Sequence, residues 1–162
     1  MEASGFLLRT TFLRGGAVVE DMPPGAAKTG ALGSAEMVEA VARAAAEFGF
    51  PLVVDPVMVS KHGQPLLPET AAHAIRQHLL PRAALVTPNI PEAEALAGIA
   101  IRTLDDMRQA ARRICGMGAR AALIKGGHTS GEDSTDILFD GAEWSDFPAP
   151  RIATRQDRKS VV

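Results

Sequence analysis

The 162-residue sequence contains one cysteine, no tyrosine, one tryptophan and almost no excess of charge of either sign. A single cysteine, Cys115, excludes an internal disulfide and a cysteine-based metal cluster. The formal net charge of −2 argues against a dedicated nucleic-acid-binding protein, which normally carries a basic excess. No hydrophobic run approaches the roughly 20 residues of a membrane span, and residues 1–14 lack the pattern of a signal peptide. We therefore expect a cytoplasmic globular protein.

Strand-like and helix-like segments alternate along most of the chain, whose length suggests one domain, or two at the most. Strands are predicted at residues 26–32, 52–55, 84–87 and 121–125, and helices begin near Ser34, Pro68, Pro91 and Thr103. Residues 137–139 and 144–147, on either side of Asp140-Gly141, predict a β-hairpin. This order predicts an α/β domain with a mainly parallel sheet, helices on both faces and a late β-hairpin.

Ligands bind at the carboxyl ends of the strands in sheets of this kind, and polar residues follow several of the predicted strands. Asp55 can hold Mg²⁺ beside a phosphate, or it can simply cap a turn. Asn89 and Glu92 stand at a helix start, where they can serve phosphate and hydrated Mg²⁺ or form an ordinary N-cap. Lys125 precedes two glycines and can neutralise a phosphate, or it can be solvated.

Other reactive side chains do not form a recognisable site. The four histidines lack a zinc-binding spacing. Cys115 lies on the inward stripe of a predicted helix, which indicates an unreactive core thiol, and Trp144 is expected to pack rather than to stack on a ligand.

Several short motifs occur in a fixed order along the chain. They are Lys28-Thr29-Gly30, Asp55-Pro56-Val57-Met58, Thr87-Pro88-Asn89-Ile90-Pro91-Glu92 and Lys125-Gly126-Gly127-His128. The set resembles the hydroxymethylpyrimidine/phosphomethylpyrimidine kinases of thiamine biosynthesis, which belong to the ribokinase-like superfamily. The resemblance covers residues 12–154, so a partial ribokinase-like kinase domain is expected there.

The resemblance implies ATP-dependent phosphorylation of 4-amino-5-hydroxymethyl-2-methylpyrimidine and then of its monophosphate, with Mg²⁺ as cofactor. It assigns Asp55 and Glu92 to Mg²⁺, and Asn89 and Lys125 to the phosphates of ATP. It places Val57 in the pyrimidine pocket. The implied partners are ATP and the small pyrimidine, without nucleic acid or membrane, and a homodimer is compatible with the resemblance.

The sequence departs from the family pattern at three places. Ala31 stands where the family has a methionine against the pyrimidine, which puts substrate choice in question. Residues 1–11 match no family segment, and the glycine-rich opening of the family is absent. The Thr-His-Gly-Thr-Gly-Cys motif expected beyond Thr154 is also absent, so no catalytic residue is assigned and the chain as written is expected to be inactive. Residues 157–162 match a translated sequencing adapter and are expected to be a non-native tail.

Two alternatives to the pyrimidine kinase remain open. Pyridoxal kinase shares the Asp-Pro-Val-Met and Thr-Pro-Asn motifs, and Ala31 leaves room for it, whereas the Lys-Gly-Gly-His motif argues against it. A non-catalytic ligand-binding module is the second alternative, because the anion-binding motif of the family is missing.

Overall fold

The computed structural model describes residues 24–58, 68–126 and 133–150. Several parts of the sequence prediction lie outside these residues: the unassigned segment 1–11, the tail 157–162, and Gly127 and His128 of the Lys-Gly-Gly-His motif.

The described part of the chain alternates strands and helices before it ends in two long strands. The strands are β1 (Ala27–Thr29), β2 (Leu52–Val54), β3 (Leu85–Val86), β4 (Ala122–Ile124), β5 (Asp133–Phe139) and β6 (Trp144–Pro150). The helices are α1 (Ala35–Ala45), α2 (Glu69–Ala74), α3 (Ile90–Ala97) and α4 (Leu104–Gly116). A π-helical turn (Ile75–Leu79) and a 3₁₀ turn (Leu80–Arg82) continue α2. None of the helices in these ranges is long and apolar enough to cross a membrane.

The six strands form one sheet in the order β1-β2-β3-β4-β5-β6. Strands β1 to β4 are parallel, and β5 and β6 add to β4 in antiparallel fashion. In this register Thr29 lies opposite Val54, Val54 opposite Val86, and Val86 opposite Ala122. The α/β class, the mainly parallel sheet and the late hairpin are therefore confirmed.

One face of the sheet carries the hydrophobic core. Val54, Val86 and Ile124 are fully buried there, and they belong to one cluster with buried residues of α1 to α4. The alternate residues Val53, Leu85 and Leu123 are only partly buried.

The described helices thus lie on one face, whereas the sequence predicted helices on both. The strand order explains the difference. Right-handed crossovers between strands that follow one another in sequence always return on the same side of a parallel sheet.

Local sequence signals account for the helix starts. Ser34 caps α1 by accepting the Met37 N–H at 3.3 Å, and Thr103 and Asp106 form a capping box at α4. Pro68 was predicted to open α2 from inside the helix, but it occupies the N-cap, with ψ at 152°. Gly98 ends α3 in the left-handed conformation, with φ at 66°, which glycine adopts without steric cost.

The hairpin is longer than predicted. Its turn is closed by Asp140, whose side chain accepts the N–H groups of Ala142 and Glu143 at 2.8 and 2.7 Å. Trp144 stacks on Phe139 with ring centroids 4.4 Å apart, and the Arg112 guanidinium lies 5.1 Å from the Trp144 ring. Trp144 therefore has the packing role that the sequence predicted.

Candidate active site at the carboxyl ends of the parallel strands

Asp55, the residue after β2, is flanked by two lysines. The Lys28 Nζ lies 3.0 Å from Asp55 Oδ2, and the Lys125 Nζ lies 3.6 Å from Asp55 Oδ1. Lys28 lies in β1, and Asp55 and Lys125 directly follow β2 and β4, strands that are neighbours or next neighbours in the parallel part of the sheet. Strand alternation places all three on the face opposite the helices, because each is offset by one residue from a buried strand position. The carboxylate is thus paired through both oxygens.

Asn89 and Glu92 form a reciprocal capping box at the start of α3. The Asn89 side chain accepts the Glu92 N–H at 2.9 Å, and the Glu92 carboxylate accepts the Asn89 N–H at 2.9 Å. The N-capping interpretation of these two residues is therefore correct as local structure. The cap uses the side-chain oxygen of Asn89. The side-chain NH₂ group of Asn89 therefore remains as the donor that can bind a phosphate.

Glu92 is a buried carboxyl group, with only 3% of its surface exposed. Burial raises its pKa above the ordinary value of 4.5. The Asn89 N–H, the charge of Lys125 and the Met58 N–H oppose this rise, and the charge of Asp55 adds to it. These influences show that the start of α3, the loop after β2 and the end of β4 meet at one place.

Lys125 is held at this place by its backbone. Its N–H donates to the Pro88 carbonyl at 2.9 Å, and it forms a parallel bridge with Asn89. The next residue, Gly126, donates its N–H to Asp136 Oδ1 at 2.7 Å. A Cβ atom at Gly126 would overlap the carbonyl oxygen of Thr135, so the close approach of β5 requires glycine at this position.

The two predicted substrate residues lie in the loops that leave β1 and β2. Ala31 is exposed two residues after β1, and Val57 is partly buried two residues after Asp55. The Val57 N–H donates to the Asp55 carbonyl at 2.9 Å, which makes a tight turn there. Both residues are at the same edge of the sheet as Asp55.

Cys115 is separate from this edge. It lies near the end of α4, partly buried, with its Sγ 4.0 Å from the Phe139 carbonyl oxygen. Burial, and next the nearby Asp140 charge, raise the pKa of this thiol. A thiol that stays protonated is a poor nucleophile, which agrees with the predicted unreactive cysteine.

The structure therefore brings together Asp55, Asn89, Glu92 and Lys125 as the strand order requires. It also adds two residues that had no predicted role, Lys28 and Asp136. Lys28 stands in a recognisable motif, but only the register that sets it opposite Val53 indicates that it reaches Asp55. Asp136 precedes the predicted hairpin strand, so no pattern in the sequence indicates its contact with Gly126.

Two carboxylates, Asp55 and Glu92, lie near enough at this edge of the sheet for the charge of Asp55 to act on Glu92. Among residues 24–58, 68–126 and 133–150 no group of three or more His, Cys, Asp or Glu side chains could hold a metal ion. Asp55 and Glu92 supply only two carboxylates. Mg²⁺ is commonly bound in this way, by one or two carboxylates together with waters and substrate phosphates.

Comparison with known proteins identifies the family. The model of the phosphomethylpyrimidine kinase family matches residues 13–158. A hydroxymethylpyrimidine/phosphomethylpyrimidine kinase of Bacillus subtilis (strain 168) is 45% identical over 141 residues, which are 86% of this chain and 52% of the relative.

Two solved structures give the same result for the fold. The phosphomethylpyrimidine kinase of Clostridium difficile 630 matches with a TM-score of 0.74 at 40% identity, over 81% of this chain and 57% of the other. An ADP complex of Bacillus subtilis pyridoxal kinase matches with a TM-score of 0.79 at 33% identity, over 90% of this chain and 57% of the other. The chain spans about half the length of the curated relatives that it matches. It belongs to the phosphomethylpyrimidine kinase family.

Proposed function

We propose that the chain, over residues 12–154, carries the phosphate-binding and metal-binding part of an ATP-dependent kinase of thiamine biosynthesis. The substrates proposed are 4-amino-5-hydroxymethyl-2-methylpyrimidine and its monophosphate. The observation that supports this proposal is the meeting of Lys125, Asp55, Glu92 and Asn89 at one edge of the sheet. Phosphoryl transfer depends mainly on positioning and on neutralisation of charge, and these residues offer both.

Each residue has a proposed role in that reaction. Lys125 neutralises the phosphates of ATP, and the Asn89 amide nitrogen donates to them. Asp55 and Glu92 hold Mg²⁺, which would supply charge neutralisation at the phosphate oxygens. Val57 and Ala31 contact the pyrimidine. No residue of the described ranges is assigned to activate the substrate hydroxyl.

Pyridoxal kinase is the second candidate function. Two observations favour it: the similarity to the Bacillus subtilis pyridoxal kinase extends over 90% of this chain, and Ala31 replaces the methionine expected against a pyrimidine. A smaller side chain at this position leaves more room for a substituted ring.

The experiment compares the product of the uninterrupted genomic reading frame with the 162-residue chain. It measures ADP formation with ATP, Mg²⁺ and, in turn, each pyrimidine and pyridoxal. We expect kcat/KM to be higher for the pyrimidines. A preference for pyridoxal would support the second candidate. Nucleotide binding without turnover in both proteins would contradict the kinase proposal and favour a ligand-binding module.

The role of Lys125 is tested by Lys125→Ala in the protein that turns over. Loss of one charged donor to a phosphate in the transition state typically lowers kcat by about 10²–10³. Arg43→Ala is the matched control, because Arg43 is exposed in the last turn of α1 and pairs only loosely with Glu39, at 3.7 Å. An unchanged kcat/KM for ATP in Lys125→Ala would reject the role.

A further inference from the structure

Lys28 makes the shorter of the two lysine contacts with Asp55. Its Nζ is 3.0 Å from Oδ2, whereas the Lys125 Nζ is 3.6 Å from Oδ1. The Lys28 side chain is 61% exposed and the Asp55 side chain 19% exposed. The ammonium group thus belongs to an exposed side chain and pairs with a mostly buried carboxylate.

The register between β1 and β2 places Lys28 close to Asp55. Lys28 lies opposite Val53, and Asp55 is two residues further along on the same face of the sheet. The long side chain of Lys28 has to extend only along the strand to reach Asp55. Lys125 reaches the other oxygen from β4, so each ammonium has its own oxygen.

The pairing has opposite consequences for cations and anions. A divalent cation at Asp55 Oδ2 must displace the Lys28 ammonium or bind next to its positive charge. A polyphosphate that approaches Lys28 and Lys125 offers these ammonium groups an alternative partner and releases the carboxylate.

We propose that Lys28 is a positioning residue that makes metal binding at Asp55 dependent on polyphosphate binding. Lys28 pairs with the Asp55 carboxylate before the nucleotide arrives, and it pairs with phosphate when the nucleotide binds. Mg²⁺ and polyphosphate therefore each strengthen the binding of the other. Such coupling is reciprocal by thermodynamic necessity. This inference rests on the proposed function, because it takes Asp55 as a metal ligand and Lys125 as a phosphate ligand.

The test measures the binding of Mn²⁺ alone, of inorganic tripolyphosphate alone, and of Mn²⁺ in the presence of tripolyphosphate, by titration calorimetry on the full chain. In Lys28→Met we expect Mn²⁺ alone to bind about three- to tenfold more tightly, because a competing cation is gone. Tripolyphosphate alone should bind more weakly by a similar factor. The strengthening of Mn²⁺ binding by tripolyphosphate should decrease.

Two controls distinguish this effect from a structural one. Lys28→Arg keeps the charge and should restore most of the coupling, and Arg43→Met removes one exposed charge from the last turn of α1 and should change neither affinity. If Lys28→Met fails to fold by circular dichroism, Lys28→Gln takes its place.

The outcomes separate this inference from the proposed function. If the unmodified chain binds Mn²⁺ and tripolyphosphate but Lys28→Met leaves both affinities unchanged or weakens both, the role of Lys28 is wrong and the proposed function stands. If the unmodified chain binds neither probe, both are wrong.

Discussion

Glu92 is buried at the start of α3, where its carboxylate accepts the Asn89 N–H at 2.9 Å. Because burial raises its pKa above 4.5, the folded state binds this proton more tightly than the unfolded state. The free energy of unfolding should therefore decrease as the pH rises from about 4.5 through the raised pKa. In Glu92→Gln this decrease should be smaller, because the amide does not titrate.

Urea unfolding from about pH 4 to about pH 8 checks this expectation. Glu36→Gln is a matched control of opposite sign, since hydrogen bonds lower the pKa of exposed Glu36 in the first turn of α1. That group stabilises the fold above its unfolded pKa and loses its contribution as the pH falls. If the free energy of unfolding changes with pH equally in Glu92→Gln and in the unmodified chain, the pKa of Glu92 is not raised by burial.

Gly126 permits the close approach of β5 to the end of β4. In Gly126→Ala the new methyl group would overlap the Thr135 carbonyl oxygen, so the backbone next to Lys125 must shift. We expect a loss of about 1–3 kcal/mol in the free energy of unfolding. Gly49→Ala is the control, because its new methyl group would meet no atom within 4 Å. Equal urea midpoints for the two variants would show that β5 is further from Gly126.

At the level of single residues, the sequence predicted those that lie next to a turn or a helix start. Asp55, Asn89, Glu92 and Lys125 each end a strand or begin a helix, and parallel strands must bring such positions together. The contacts of Lys28 and Asp136 depend on strand register and on an added antiparallel strand. Neither is set by local sequence, so these two contacts could not be predicted.

Among the elements, α4 depends most clearly on its cap. Thr103 accepts the Asp106 N–H at 3.1 Å, and Asp106 accepts the Thr103 N–H at 2.9 Å. Thr103→Ala removes one half of this capping box and should cost about 1 kcal/mol of stability. Thr70→Ala, at an exposed position of α2, is the control and should be neutral or slightly stabilising. Thermal unfolding of both variants checks the difference, and equal midpoints would contradict it.

Helix starts were easier to predict than helix interiors or strand ends. The helix predicted to begin near Pro68 passes through a π-helical turn and a 3₁₀ turn before β3. Pro81 lacks an N–H group for the carbonyl of Gln77, so regular winding cannot continue through it. Strand β6 extends past Phe147 through Pro148 and Pro150, because an edge strand tolerates prolines that a central strand would not.

At the scale of the whole molecule, one face of the sheet is more deeply buried than the other. Two neighbouring residues that lie on opposite faces test this difference. Ile124 is fully buried on the helix side, and Leu123 is partly buried on the other side. Ile124→Ala should cost about 2–5 kcal/mol, whereas Leu123→Ala should cost less than half as much. Urea unfolding of the two variants gives the comparison. Equal losses would mean that both faces are packed alike.

The sequential strand order also has a consequence for the way the chain folds. Each strand from β2 to β6 pairs with the strand that precedes it in the sequence, so within residues 24–58, 68–126 and 133–150 no strand must wait for a partner synthesised much later. Assembly can then follow synthesis from the amino to the carboxyl end, with each strand and helix adding to those already formed. The parallel pairs Ala27–Leu52, Val53–Leu85 and Val86–Ala122 are still distant in sequence, and pairing of this kind forms slowly. The edge that gathers Lys28, Asp55, Asn89 and Lys125 is completed only when β4 joins, so ligand binding becomes available late in this order.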